Sequence, residues 1–368
     1  MNRKTQHKPR VVVAMSGGVD SSVAAALLVE QGYQVIGATM KLWNYDQVGG
    51  NVNLESNCCS LDAITDARMV CHQLGIPHYV FDFTEKFHQV VIRNFIDEYM
   101  KGRTPNPCVL CNTVIKWQAF LHKARELGAE LMATGHYARI VRDPHTGRYV
   151  LTASRYREKD QSYALWGLSQ DSLAHTLFPL GDLTKEQVRE IARRLNLRTA
   201  HKSESQEICF IPDNDYRRFL RENVKDIPEG SIVTTEGKVV GKHQGYPFFT
   251  IGQRRGIGVG LGKPMYVVDL VPERNLVIIG EKHQLMAHGL EATGLNLMKY
   301  ARLEKPLHAH IKIRYNDAGA PGTVYQTGAD RIRVEFDEPR RAVTPGQSVV
   351  FYQAEQIVGG AYILRAIH

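Results

Sequence analysis

A segment near the start of the chain combines residue types that bind phosphate. Residues 16–22 read Ser-Gly-Gly-Val-Asp-Ser-Ser and directly follow the apolar run Val11–Ala14, which predicts a buried strand. Glycines let the main chain approach an anion, serine hydroxyls donate hydrogen bonds, and a helix N-terminus adds N–H groups and a favourable dipole. Gly-Gly turns and Ser or Asp caps also occur at ordinary strand–helix junctions. The complete segment favours a phosphate-binding loop, and no Walker or GxGxxG motif competes with it.

Two cysteines three positions apart lie in a second candidate segment. Cys108 and Cys111 belong to Gly102–Asn112, a loop that contains two prolines and precedes a predicted helix. The positive end of a helix lowers the pKa of a nearby thiol, so Cys111 is predicted to be a nucleophile. The CxxC spacing also fits half of a zinc site, but the chain has no second CxxC.

The other cysteines carry weaker signals. Cys209 lies between Ile208 and Phe210, so by itself it is typical of a small buried residue. We interpret the remaining three as loop or helix-packing residues: Cys58, Cys59 and Cys71.

An alternation of short apolar runs and amphipathic stretches positions these residues. It predicts strands at 11–14, 34–40, 78–82 and 130–134, and helices at 20–31, 61–74, 84–100 and 112–127. Such a βαβ series forms a parallel sheet, whose ligands bind at the carboxyl ends of the strands. Residues 138–154 predict an inserted hairpin, and two helices are predicted around 185–195 and 215–222. From Ser231 onward, short β-branched runs predict one or two small β-barrels or sandwiches.

Composition restricts the class of protein. The 368 residues are 43% hydrophobic and 23% charged, as in soluble globular chains, and the formal net charge of +8 favours a polyanionic partner. Residues 139–159 and 238–263 are two of the basic stretches. No apolar run reaches the roughly 20 residues of a membrane span. Six cysteines are too few for a secreted disulfide scaffold, so we expect a cytoplasmic protein without a membrane partner.

The phosphate-binding segment resembles the PP-loop of the ATP pyrophosphatases, which split ATP into AMP and pyrophosphate. With the motifs around it, the chain resembles the tRNA-specific 2-thiouridylases over nearly its whole length. The motifs that carry this resemblance are Met40–Trp43, Thr104–Trp117, Ala133–Arg139, Lys159–Leu165, Glu207–Ile211, His243–Gly258, Lys312–Tyr315 and Thr344–Tyr352.

The resemblance implies an α/β fold in three parts. These are an N-terminal, Rossmann-like PP-loop domain at 1–212, a small β-rich domain at 213–286 and a β-barrel domain at 287–368. It also implies a sulfurtransferase that uses ATP and Mg²⁺. The residues implied to bind ATP are Ala14, Met15, Ser16, Gly17, Gly18, Val19, Asp20, Ser21, Met40 and Gly135.

The resemblance further implies how sulfur reaches the wobble uridine of tRNA. Cys209 would carry a persulfide delivered by a cysteine desulfurase or a sulfur relay protein, and Cys111 would release that sulfur or form a transient disulfide with Cys209. The residues implied to contact the target base are Asn106, Pro107 and Cys108. Those implied to contact the rest of the tRNA are His136, Lys159, Asp160, Gln161, Arg314, Tyr315 and Gln347.

The chain departs from the family pattern at Cys108, where many members have an aspartate. One interpretation is a thiol that replaces the proton-transferring carboxylate. Another is an iron–sulfur cluster held by Cys108, Cys111 and Cys209. Two rival functions also stay open, namely an amide-forming ATP pyrophosphatase related to argininosuccinate synthetase and a non-catalytic tRNA-binding protein.

Overall fold

The computed structural model describes residues 8–43, 61–202 and 208–368. Cys58, Cys59 and Glu207, which the sequence analysis singled out, lie outside these ranges. The chain divides into two compact units, one formed by Met1–Val91, Cys108–Asn214 and Glu355–Ile357 and the other by Ile92–Pro107, Asp215–Ala354 and Val358–His368. Among the helices of the described residues, none is both long and apolar enough to cross a membrane.

A five-stranded parallel sheet forms the centre of the first unit. Its order is β3-β2-β1-β4-β7, so β1, whose three valines are fully buried, lies in the middle. The predicted parallel sheet is therefore confirmed, and the carboxyl ends of its strands share one edge. The strands are β1 Arg10–Ala14, β2 Gln34–Lys41, β3 His78–Asp82, β4 Leu131–Ala133 and β7 Thr176–Leu177.

Helices connect these strands, as the apolar periodicity predicts. The α-helices are α1 Val19–Glu30, α2 Leu61–Gln73, α3 Thr84–Phe87, α4 Arg93–Met100, α5 Pro107–Leu110, α6 Phe120–Glu126, α7 Gln170–Ala174 and α8 Lys185–Arg194. Two segments have the wider π-helical winding, His88–Ile92 between α3 and α4 and Cys111–Ala119 between α5 and α6. The helix predicted to start at Asn112 therefore starts at Pro107, and this earlier start changes the surroundings of Cys111.

The inserted hairpin is also confirmed. Strands β5 Ala138–Arg142 and β6 Tyr149–Ala153 pair antiparallel. In the turn between them, the buried Asp143 carboxylate accepts hydrogen bonds from the main chain of His145 and Thr146. Part of the positive charge of this region is neutralised, because the Glu355 carboxylate lies 2.7 Å from the guanidinium of Arg139 and 3.7 Å from that of Arg157.

The second unit contains two β-structures after the helix α9 Tyr216–Asn223. One is a four-stranded sheet in the order β10-β11-β8-β9, and the other is a six-stranded barrel in the order β12-β15-β14-β13-β16-β17, closed by pairing between β12 and β17. Leu290, Ile311 and Phe351 are among the fully buried side chains of the barrel core. The strands are β8 Gly230–Thr234, β9 Val239–His243, β10 Tyr266–Val271, β11 Leu276–Gly280, β12 Met286–Leu297, β13 Leu307–Lys312, β14 Ala320–Gln326, β15 Arg331–Arg341, β16 Ser348–Gln353 and β17 Gln356–Ile367.

Candidate functional site

The predicted phosphate-binding loop follows the carboxyl end of the central strand β1. Gly17 has φ +67°, and a Cβ at this position would lie 2.3 Å from the carbonyl oxygen of Ala63, so only glycine fits there. The Ser21 hydroxyl accepts a hydrogen bond from the Ser16 N–H at 3.1 Å and lies 3.2 Å from the Ser16 hydroxyl. No side chain caps α1 at Gly18, and the first N–H groups of a helix have no intrahelical partner. The loop thus has the main-chain donors and hydroxyls that an anion requires.

A second loop packs against the start of α1. At Gly135, which follows β4 on the same edge of the sheet, a Cβ would lie 2.7 Å from both the carbonyl carbon of Asp20 and the nitrogen of Ser21. Glycine is therefore required for this close approach. The other residues implied to bind ATP have buried side chains and could offer a nucleotide only main-chain groups: Ala14, Met15, Val19 and Met40.

The structure adds one residue that the sequence analysis missed. The Lys185 ammonium, at the first position of α8, lies 2.7 and 2.8 Å from the two carboxylate oxygens of Asp20. Tyr137 donates a hydrogen bond of 2.8 Å from its hydroxyl to the same carboxylate. Since Lys185 is 165 residues from Asp20, no local sequence pattern connects the two.

The two cysteines of the CxxC segment differ in exposure. Because the helix starts at Pro107, Cys108 lies in its first turn and is exposed, whereas Cys111 lies one turn later and is buried. The prediction that Cys111 lies at the helix N-terminus is wrong, and the helix dipole no longer accounts for an activated Cys111. Next to it, the buried Asn112 donates a hydrogen bond of 2.9 Å to the carbonyl oxygen of Ala164.

Aromatic packing anchors the loop that carries Cys209. Phe210 is buried and contacts Phe87 edge to face at 5.7 Å between ring centroids, and Phe87 in turn lies 5.8 Å from Trp43. Cys209 itself is half-buried, so it is not the enclosed small residue that its apolar neighbours suggest. The aromatic contacts thus anchor the loop, while Cys209 is only partly buried.

The cluster hypothesis requires three thiols at one point. Within the described part of the chain, no three histidine, cysteine or carboxylate side chains are grouped as metal ligands would be. The three thiols of the cluster hypothesis lie in the described part of the chain, and they do not form a group that could bind a metal there: Cys108, Cys111 and Cys209.

His136 lies in an aromatic environment at the same sheet edge as the loop. Its ring centroid is 5.6 Å from that of Trp117 and 6.2 Å from that of Phe178, and its Nδ1 is 2.7 Å from the Thr134 hydroxyl. Burial, and to a lesser degree the Lys116 charge, holds the pKa of His136 well below its ordinary value. His136 is therefore neutral at pH 7 and can stack or share a hydrogen bond but cannot pair with a phosphate as a cation.

Two residues implied to contact tRNA have structural partners near the hairpin. The Asp160 carboxylate accepts hydrogen bonds from the Ser154 N–H at 2.9 Å and the Ser162 hydroxyl at 2.8 Å. The Gln161 side chain accepts one from the Tyr137 N–H at 3.0 Å. These contacts hold the segment that carries Lys159 against the loop after β4.

The implied tRNA contacts of the second unit also have partners within that unit. Arg314 donates hydrogen bonds to the carbonyl oxygens of Arg341 and Ala342 at 2.8 and 3.3 Å. Gln347 donates to the carbonyl oxygens of Thr104 and Pro105, just before Asn106 and Pro107. Tyr315 is 45% exposed.

The fold and the loop define a class of protein: an α/β domain of the HUP type with a PP-loop at the carboxyl edge of its parallel sheet, followed by β-rich domains. Family models match this description. Residues 9–213 match the tRNA methyl transferase HUP domain, residues 217–281 the tRNA methyl transferase PRC-barrel domain, and residues 287–363 the aminomethyltransferase beta-barrel domain.

Curated relatives identify the family. The chain is 52% identical to the tRNA-specific 2-thiouridylase MnmA of Carboxydothermus hydrogenoformans, over 97% of this chain and 98% of the relative. It is 51% identical to the protein of the same name from Salinibacter ruber, over 97% and 94%. The chain belongs to the tRNA-specific 2-thiouridylase family, whose members are tRNA sulfurtransferases. Among solved structures, a 4-thiouridine synthetase–RNA complex with bound ATP matches with a TM-score of 0.37 and 16% identity, over 59% of this chain and 51% of that chain.

Proposed function

We propose that this chain catalyses the ATP-dependent 2-thiolation of the wobble uridine of tRNA and releases AMP and pyrophosphate. The observation that supports the proposal is the loop of serine hydroxyls and main-chain N–H groups at the centre of the sheet edge, in a chain 52% identical to a named 2-thiouridylase. The fit of this loop to a phosphate favours a nucleotide at the start of α1.

The first step activates an oxygen that is otherwise a poor leaving group. The uridine O2 attacks the α-phosphorus of ATP, the bond to the β-phosphate breaks, and pyrophosphate leaves. The O2 then forms part of an adenylate, which departs from C2 as AMP. The Ser16 and Ser21 hydroxyls and the main chain at Gly17 hold the phosphates, and a bound divalent cation would neutralise part of their charge.

The second step transfers sulfur from a persulfide on Cys209 to C2 of the uridine. A sulfur donor such as a cysteine desulfurase or a sulfur relay protein converts the Cys209 thiol to a persulfide. The terminal sulfur adds to C2 of the adenylated uridine, and the Cys111 thiolate attacks the inner sulfur of Cys209. The sulfur–sulfur bond of the persulfide breaks, AMP leaves, and the transferred sulfur is reduced as Cys111 and Cys209 become a disulfide.

The tRNA would contact both loops and charged surfaces. We assign the target base to the segment Asn106–Cys108 and the surrounding RNA to His136, to Lys159–Gln161 and to Tyr315, with Arg314 and Gln347 acting near it. A neutral His136 and an exposed Tyr315 suit stacking on unpaired bases, which is how proteins read splayed anticodon nucleotides.

A single reaction tests the proposal against its rivals. The protein is incubated with ATP, Mg²⁺, a cysteine desulfurase, cysteine and unmodified tRNA, and the nucleosides are analysed by mass spectrometry. We expect 2-thiouridine together with tRNA-dependent AMP and pyrophosphate. An amide-forming pyrophosphatase would yield no 2-thiouridine, a binding protein would consume no ATP, and tRNA-dependent ADP and phosphate would contradict the adenylation step.

Cysteine variants test the sulfur step. Cys111→Ala and Cys209→Ala should each abolish thiolation while tRNA affinity stays within about twofold, since neither thiol neutralises a phosphate. Cys71→Ala is the matched control, because Cys71 is fully buried against the sheet and should not affect turnover. Full activity of either of the first two variants would reject the assigned roles.

Cys108 is tested by restoring the carboxylate that many family members have. If Cys108 acts in proton transfer, Cys108→Asp should retain activity in an iron-free preparation supplied with ATP, Mg²⁺ and persulfide. If Cys108 is a cluster ligand, the variant should lose activity, and the parent protein prepared without oxygen should contain iron and sulfide. We propose the first outcome, and activity that requires bound iron would contradict it.

A further inference from the structure

The charge of the phosphate-binding loop is unfavourable for its proposed ligand. Residues 14–22 contain no basic side chain, and Asp20 is their only ionisable side chain. The loop's donors are main-chain groups and hydroxyls, which carry only partial charges. A carboxylate beside a triphosphate opposes binding unless another charge compensates it.

Lys185 supplies that compensating charge. Its ammonium contacts both oxygens of the Asp20 carboxylate, at 2.7 and 2.8 Å, and its side chain is only 8% exposed against 32% for Asp20. The ammonium also lies 5.9 Å from the centroid of the Tyr137 ring, whose hydroxyl donates to Asp20. An ion pair this enclosed is held in one geometry, unlike a surface salt bridge.

The position of Lys185 is fixed by the helix that carries it. A capping box closes the start of α8, with the Thr184 hydroxyl accepting from the Gln187 N–H at 3.1 Å and the Gln187 side chain accepting from the Thr184 N–H at 2.8 Å. Val188 and Ala192 of α8 are fully buried in the same core as Val23 of α1. The two helix starts are therefore held together by packing as well as by the ion pair.

We infer that Lys185 is a positioning residue of the nucleotide site, which neutralises and orients Asp20 so that the loop at Ser16–Ser21 accepts the β- and γ-phosphates of a nucleoside triphosphate. The inference rests on the proposed use of ATP. Without the Lys185 charge, the Asp20 carboxylate repels the polyphosphate and keeps only the hydrogen bond from the Tyr137 hydroxyl. The effect should grow with the number of phosphates, because each adds negative charge near the same carboxylate.

Binding measurements on the full chain, without tRNA, test the inference. The affinities for α,β-methylene-ATP and for AMP are measured by calorimetry with Mg²⁺. Lys185→Met should weaken binding of the triphosphate analogue about tenfold or more but change AMP affinity less than about twofold. Lys185→Arg keeps the charge, so its affinity for both ligands should stay within about threefold of the parent value.

A double variant tests whether the Asp20 charge causes the loss. In Asp20→Asn with Lys185→Met the uncompensated carboxylate is removed, so the affinity for the triphosphate analogue should partly recover.

The control separates electrostatics from loss of a buried ion pair. In the second unit, an enclosed ion pair joins Arg340 Nη2 and Asp317 Oδ1 at 2.6 Å. Arg340→Met breaks this ion pair and should lower the midpoint of thermal unfolding without changing the affinity for the triphosphate analogue or for AMP. Equal losses of triphosphate and AMP affinity in Lys185→Met would show that the lysine only holds the start of α1, and unchanged affinities would show that it has no role. Both results would overturn the inference. Failure of the proposed function would instead appear as no 2-thiouridine from a parent protein that still binds the analogue.

Discussion

The side-chain amide of Gln347 donates a hydrogen bond of 2.9 Å to the carbonyl oxygen of Thr104, 243 residues earlier in the chain. The same amide lies 3.3 Å from the carbonyl oxygen of Pro105, and the Thr104 N–H donates to the carbonyl oxygen of Pro345 at 2.9 Å. At Gly346, a Cβ would lie 2.9 Å from the Thr104 carbonyl oxygen, so a larger residue would push the two segments apart. The turn before β16 therefore holds the segment that leads into Asn106 and Pro107.

This contact predicts that Gln347 acts on the rate of the reaction. Gln347→Leu removes the donor and should lower the turnover number for 2-thiouridine by about 10- to 100-fold, because the segment proposed to bind the target base loses its position. The affinity for tRNA should stay within about twofold, as measured by filter binding. Gln353→Leu is the matched control in the same barrel, where the Gln353 side chain accepts from the Tyr300 hydroxyl instead. A loss of tRNA affinity with unchanged turnover would show that Gln347 contacts the RNA directly.

Gly135→Ala should disrupt nucleotide binding. The added Cβ would lie 2.7 Å from main-chain atoms of Asp20 and Ser21, so the start of α1 must shift. We expect ATP affinity to fall about tenfold or more, together with a lower thermal midpoint, as measured by calorimetry and thermal unfolding. Gly260→Ala is the control, since a Cβ at Gly260 meets no atom within 4 Å. ATP affinity at the parent value in Gly135→Ala would contradict the packing described at this loop.

The cysteines should differ in reactivity. Burial raises the pKa of the Cys71 thiol to about 12, so almost no thiolate is present at pH 8, and its side chain is fully buried. Cys108 is exposed in the first turn of its helix. In the native protein at pH 8, iodoacetamide should therefore label Cys108 well before Cys71 and leave Cys71 unlabelled until denaturant is added, as followed by peptide mass spectrometry. Labelling of Cys71 at the rate of Cys108 would mean that this part of the core opens readily.

His136 should make stability depend on pH below neutrality. Its pKa is lowered on folding, so as the pH falls below about 6.5 the unfolded chain takes up a proton that the folded protein resists. The contribution of this group to the free energy of unfolding is therefore fully present above about pH 6.5 and is lost as the pH decreases. Urea unfolding of the parent protein and of His136→Gln at pH 7.5, 6 and 5 measures the difference. Parallel loss of stability in both proteins would assign the pH dependence to other groups.

Local patterns predicted much of the first unit. Glycine commonly follows the end of a helix, and Gly32, Gly75 and Gly128, which follow α1, α2 and α6, all have positive φ, between +67° and +84°. The hairpin and the βαβ series that forms the parallel sheet also follow from turn residues and apolar runs. Such features depend on residues close together in the chain. The start of the helix at Pro107 was missed because proline fits the first helical turn as well as a loop.

The sequence by itself determined the family resemblance, the PP-loop segment and the order of the α/β and β-rich parts. It could do so because motifs and periodicities depend only on residues that are close together in the chain. Only the tertiary structure decided which distant groups meet: Lys185 with Asp20, Gln347 with Thr104, and Gly135 with the start of α1. It also decided that Cys111 is buried while Cys108 is exposed. Burial and ion pairing arise when remote segments pack together, so their effects on charge and reactivity cannot be obtained from the local sequence.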